Sequence, residues 1–223
     1  MPELARAVQA RNRGEFIHRA SLGLRLTALF TIPAGVALFV LRQPVIGLLL
    51  QRGDFDAADT WVASRALAGL ALGLVAFSMY LFTLRCFYAH HDTRTAFIIN
   101  AGQCLLNIVF GVIFVRHWDL LGLGAAFALS YAIAGLWALH TLHYKVRGFP
   151  LREIFDSVAR MVVAAALGGE LAALIARAVG DNEGGAALLK LLASTVGGLV
   201  VYVGVLIVLK APELTAARRI IRR

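Results

Sequence analysis

In a chain this apolar, chemistry has to come from the few polar side chains set inside apolar runs. Arg25 follows Leu22-Gly23-Leu24 near the start of one such run. A cation there either snorkels to lipid headgroups or lines a cavity and meets an anionic substrate. Asn100, Gln103 and Asn107 fall at i, i+3 and i+7, one face of a helix. That face suits either hydrogen bonds between helices or the wall of a polar pathway. Glu170, in Gly168-Gly169-Glu170, is the acid deepest inside an apolar run, and Arg177 shares its face two turns on. A carboxylate in that position is protonated, paired or open to a groove.

The polar segment from Phe87 to Thr95 holds His90-His91-Asp92, residue types that can ligate a metal. Adjacent side chains diverge, so solvated turn histidines are expected and no metal site. His140 and His143 lie three apart at the end of a helix, where a partly protonated imidazole meets the helix carbonyls favourably. Cys86 and Cys104 fall at different depths of separate apolar runs, which reads as two packing residues rather than a disulfide. The metalloprotease HExxH, the nucleophile-elbow GxSxG and the phosphate-loop motifs do not occur. No catalytic residue, cofactor or enzymatic activity is expected.

The elements that must position these groups are membrane spans. The chain has 223 residues, 60% of them hydrophobic, with a mean hydropathy of +0.76. Apolar runs of about 20 residues, at about 1.5 Å of rise each, match a hydrocarbon core of ~30 Å. Unpaired backbone is not tolerated in lipid, so the runs are helices. The fold class is an all-α polytopic membrane protein of about six transmembrane helices. They are expected near residues 22–41, 66–88, 96–115, 120–141, 159–179 and 190–209. Pro33 should kink the first and free a carbonyl. The stretch from Pro44 to Leu50 is too short to span and reads as interfacial. Small residues at Gly122, Gly124, Gly197 and Gly198 predict close helix approach.

A net charge of +9 invites a nucleic-acid reading, but its distribution argues for a membrane. Threading six spans places 13 Lys and Arg on the side of residues 1–21, 89–95, 142–158 and 210–223, against five on the other. That bias puts both termini in the cytoplasm and the basic excess against anionic membrane lipids. No basic stripe with interleaved aromatics appears, so nucleic acid is not an expected partner. Residues 1–21 lack the apolar core and cleavage site of a signal peptide and read as a cytoplasmic interfacial connector, which implies something before it. The expected organisation continues with a four-helix part over 22–141, a cytoplasmic loop over 142–158, a two-helix extension over 159–209 and a basic cytoplasmic tail over 210–223.

The order of these features resembles a known family. Arg19 to Leu26, Gln51-Arg52-Gly53-Asp54-Phe55 with Asp59-Thr60, Phe87-Tyr88-Ala89, Asp92-Thr93-Arg94-Thr95, Leu106-Asn107 and Gly122-Leu123-Gly124-Ala125-Ala126 follow in succession. This is similar to the carboxyl-terminal part of the MurJ/MviN family of lipid II flippases, within the multidrug/oligosaccharidyl-lipid/polysaccharide exporter superfamily. The first 140 residues carry the specific motifs; the last 70 match mainly in hydropathy. The resemblance implies the latter part of a second lobe plus two extra helices of a fourteen-helix fold in the bacterial cytoplasmic membrane. It implies translocation of a polyprenyl-pyrophosphate-linked peptidoglycan precursor by alternating access, with an upstream chain or segment supplying the first lobe. Arg25 then becomes a candidate cavity cation, and Asp92, Thr93, Arg94 and Thr95 a hinge turn between two helices. Asn107 matches an asparagine that some members use for sodium, but the companion positions fall near Gly111 and Phe127, which argues against that ion. Ala96 stands where the family's turn ends in proline. Two other readings are a related polysaccharide-lipid or multidrug exporter, and a truncated, non-transporting membrane subunit.

Overall fold

The computed structural model describes residues 8, 12–51, 53–178 and 184–215, side chains of 184–187 excepted. Its elements are α1 (Arg13–Val40), α2 (Arg42–Leu50), α3 (Ala57–Ala89), α4 (Thr93–Lys145), α5 (Leu151–Ala178) and α6 (Gly184–Val208). All are helical, and α1, α3, α4, α5 and residues 188–208 of α6 are long and apolar enough to cross a membrane.

Element α4, at 53 residues, is two helices folded on each other. Asp119 takes φ 50° and ψ −132°, outside helical geometry and in the corner conformation that glycine dominates in tight reverse turns. Contacts pair 92 with 145, 107 with 130 and 114 with 122, so the two arms run antiparallel about that corner. Counting the arms 93–118 and 120–145 separately gives six spans, as the hydropathy pattern predicts.

The helices outrun the apolar segments. Asn12 caps α1 by accepting from the Glu15 N–H at 3.1 Å, so residues 13–21 continue into the first span instead of forming a separate connector. Element α4 extends to Lys145 and α5 begins at Leu151, which leaves only Val146 to Pro150 of the expected 142–158 loop. Hydropathy marks the lipid-facing length of a helix, whereas capping and backbone hydrogen bonding set where it ends. The expected tail enters the packed structure too: Ala211 and Glu213 are buried, and residues 216–223 lie outside the described residues.

Two cores organise the bundle. One joins α1, α3 and α4 around Phe16, Leu24, Tyr80, Phe87, Ile99 and Leu142. The other joins α1, α5 and α6 around Ala28, Ile32, Met161, Ala165, Tyr202 and Leu206. Close approach depends on glycine in both: a Cβ on Gly69 would lie 2.5 Å from the Gly124 Cα, and one on Gly168 2.5 Å from the Gly198 carbonyl oxygen. Element α1 contributes to both cores and is the shared wall.

Candidate functional site

Pro33 is the first residue to position anything. Lacking an N–H, it leaves the Leu29 carbonyl, one turn back, without its helical donor. The Tyr202 hydroxyl of α6 donates to that carbonyl at 2.9 Å, in the buried interior. The helix stays continuous through Pro33, and its freed acceptor becomes the docking point for α6. Around this contact runs an apolar groove between α1 and α6, with adjoining hollows of about 240 and 550 Å³. Phe30, Pro33, Leu199 and Tyr202 line both, and Leu206 and Pro212 extend it.

Arg25 reaches the segment after α6 whose Ala211, Pro212 and Leu214 line that groove. Its guanidinium donates to Glu153, at the start of α5, at 2.6 Å and sits 3.8 Å from a carboxylate oxygen of Glu213, which follows α6. Glu213 is 2% exposed and neither of its oxygens has a hydrogen-bond partner among the described residues. The Arg25 side chain is 18% exposed. A lone buried carboxylate costs several kcal/mol, so the nearby arginine is what makes this position tenable. The sequence reading missed both acids: Glu153 was counted in a loop and Glu213 in a tail.

The Asn100–Gln103–Asn107 stripe splits. Asn107 donates to the Ser130 hydroxyl at 3.1 Å, and Gln103, 3% exposed, reaches the same oxygen at 3.5 Å. Both therefore bind the two arms of α4 together. Asn100 accepts from the Tyr80 hydroxyl of α3 at 2.9 Å while its own residue surface stays exposed. Serine and tyrosine at the right register were the missing partners, and nothing in the spacing of the stripe alone announces them.

Glu170 faces outward from α5 and makes no hydrogen bond or ion pair among the described residues. The groove passes beside it, along Gly168, Gly169 and Ala172.

The turn from Phe87 to Thr95 is built by its own polar residues. His91 takes φ 55°, Asp92 accepts from the Thr95 N–H at 3.1 Å, and His90 packs edge-on against Phe16 at 4.2 Å. Lys145, at the far end of α4, donates to both Asp92 and the Thr95 hydroxyl. The Lys145 hydrogen bond, foremost, holds the Asp92 carboxyl below the usual carboxylate range. Thr93 and Arg94 point outward. Among the described residues no three His, Cys, Asp or Glu side chains converge.

With this geometry in hand, the comparisons are specific. The family model "Lipid II flippase MurJ" matches residues 1–212. The lipid II flippase MurJ of Thermosipho africanus is 31% identical over 142 residues, 64% of this chain and 29% of that protein. The probable lipid II flippase MurJ of Rhizobium meliloti is 31% identical over 169 residues, 75% of this chain and 31% of that protein. A solved lipid II flippase MurJ in an inward closed conformation shares the fold with a TM-score of 0.72 at 24% identity, covering 91% of this chain and 40% of that one. The matched region is thus under half the length of each.

Proposed function

This chain belongs to the lipid II flippase MurJ family, and from that premise we propose that it is the carboxyl-terminal portion of a flippase. The cargo is a lipid-linked peptidoglycan precursor, moved across the bacterial cytoplasmic membrane by alternating access, as a transporter and not an enzyme. The supporting observation is the family match over residues 1–212 of a chain that spans 29% and 31% of two curated relatives. Six spans supply one side of a two-lobed cavity, and an upstream chain or segment would supply the other. Positive charge concentrated at the Asp92–Lys145 end supports a cytoplasmic position for that end and for both termini.

Within this reading the α1–α6 groove suits a polyprenyl tail, being apolar and open along its length. Arg25 has its charge compensated by two acids, so its role is to anchor α5 and the segment after α6 against α1. Asn100 is the member of the polar stripe that still offers a surface to a cavity. Glu170, outward-facing, is available to a segment outside this chain. The Asp92–Thr95 turn, clamped by Lys145, makes the helix pair around it move as one piece.

The test is reconstitution. Residues 1–223 alone in liposomes should move no lipid II across the bilayer, whereas the chain joined to the amino-terminal remainder of the Rhizobium meliloti relative should. Translocation by residues 1–223 alone overturns the incompleteness. A well-folded joined chain that moves a different polyprenyl-linked sugar and not lipid II overturns the cargo. Asn100→Ala in the joined chain should lower transport without lowering its amount in the membrane, and Glu170→Ala should do so only if that acid meets the first lobe.

A further inference from the structure

Glu170 is the one acid deep within a span, and it stands on the outer face of α5 with no hydrogen bond or ion pair among the described residues. The nearest charged residues of α5 are Arg177 and Arg160, about 10 and 15 Å along the axis at about 1.5 Å of rise per residue, so neither serves it. Around it on the same face lie Val163, Leu167 and Leu174, each more than half exposed. Positions 163, 167, 170 and 174 recur at intervals of four, three and four, the spacing of a heptad seam. Such a seam keeps one stripe turned toward a parallel neighbouring helix. The opposite face, with Met161, Ala165, Gly168 and Ala172, is already buried against α1 and α6.

Acids inside membrane spans pair with other polar groups almost without exception, and lipid tails offer none. A carboxyl that keeps its proton is both donor and acceptor, so it is complementary to itself. Two-fold symmetry about the membrane normal sets two copies of α5 parallel and brings the same residue of each to the same depth. We propose that the outer face of α5 docks on the α5 of a second copy of this chain. Val163, Leu167 and Leu174 meet their own counterparts, and the two Glu170 carboxyls share a proton. Two carboxylates that close cannot both carry charge in hydrocarbon, so the pair is hydrogen-bonded rather than repulsive. Arg160 and Arg177 continue the seam toward its two ends, where water and salt screen like charges. The contact does not rest on the translocation reading, since it concerns the outer side of α5 and not the groove.

Oxidative cross-linking of the full chain in membranes tests this, with Cys86→Ala and Cys104→Ser as background and dimers read on denaturing gels. Leu167→Cys and Leu174→Cys should each give a dimer band. Leu105→Cys, as exposed but on the first arm of α4, should give roughly fivefold less. Adding Glu170→Val, which keeps the seam apolar, should lower the Leu167→Cys dimer roughly fivefold. Adding Glu170→Gln should keep it within about twofold, because an amide is also donor and acceptor. Glu170 supports no contact inside the bundle, so both changes should leave the amount of chain in the membrane unaltered. Equal dimer at Leu105→Cys and Leu167→Cys would overturn the proposal, by making the band a product of random collision. Cross-linking indifferent to Glu170→Val would overturn it by removing the carboxyl pair. Equal loss with Glu170→Val and Glu170→Gln would overturn it too, by showing that the acid needs a cation on some other partner.

Discussion

The helix pair α3–α4 and the helix pair α5–α6 both pack on α1, yet they are held by different means. Between α3 and the arms of α4, small residues let backbones touch and polar side chains pair with one another: Gly69 on Gly124, Tyr80 with Asn100, and Gln103 and Asn107 with Ser130. The pair is closed at one end by Lys145 on Asp92 and Thr95. Between α5–α6 and α1 the polar links among the described residues are few, and a groove stays open around them. Closed packing makes a rigid wall, while point contacts flanking a groove let a helix pair adjust around whatever fills it. The contrast predicts where substitutions do the most damage.

The largest effect should follow loss of a glycine contact in the closed pair. A leucine at Gly124 must displace α3, because even a Cβ would lie 2.6 Å from the Gly69 Cα, which is backbone and cannot rotate away. Gly124→Leu should cost more than about 3 kcal/mol and abolish a monodisperse folded species by size-exclusion chromatography in detergent. The comparable change Gly204→Leu, where nothing lies within 4 Å of the added Cβ, should leave the profile unchanged.

Next comes the ionic contact of the open pair. Arg25→Ala leaves Glu213 buried with no compensating charge, a loss of roughly 3–5 kcal/mol when one partner of a buried ion pair is removed. If the loss is electrostatic, Arg25→Leu combined with Glu213→Leu should recover much of the thermal stability. If the double variant remains as unstable as the single, Arg25 acts through its packing and the two regions differ less than the geometry implies.

These two cases also show what was readable in the chain. Gly124 sits in a Gly-x-Gly-Ala-Ala run whose meaning, close helix approach, does not depend on its partner, and so the first pair was legible by type. The six spans were legible for the same reason, since apolar length is a local property. Arg25 was legible as an oddity, but its partners lie 128 and 188 positions away, in stretches that hydropathy assigns to water. The Tyr202–Leu29 contact was half legible: Pro33 announces an orphaned carbonyl, and only the fold says which hydroxyl satisfies it. Long-range pairing is set by the packing of whole helices, which composition and period do not encode.

Tyr202→Phe sharpens that half-legible contact. It keeps the ring against Leu29 and Pro33 and removes only the donor, so the Leu29 carbonyl is left buried and unsatisfied. The expected cost is about 1–3 kcal/mol, visible as a lower unfolding temperature. Adding Pro33→Ala restores an N–H able to serve that carbonyl from within α1, so the double change should lose less than Tyr202→Phe alone. Equal loss in both would mean that the tyrosine hydroxyl contributes nothing beyond its ring.

The smallest effect should come from the clamp at the Asp92 turn, because it stands in water. Lys145 holds the Asp92 carboxyl below its ordinary range, so the folded state binds that proton less readily than the unfolded chain does. The stabilisation is therefore fully present above the unfolded carboxylate value of about 3.9 and is lost as pH falls through the lower folded value. Asp92→Asn should remove this acid-side leg and leave stability above that window reduced by about 1 kcal/mol or less, the range of an exposed ion pair and a conserved-shape cap. Hydrogen exchange of residues 89–95 reads the local effect where global unfolding does not. Faster exchange confined to the turn, with the Gln103–Ser130 region unchanged, would show that the closed pair is held along its whole length. Faster exchange reaching Ser130 would make the Lys145 clamp the keystone of that pair, and would bring it closer in character to the open one.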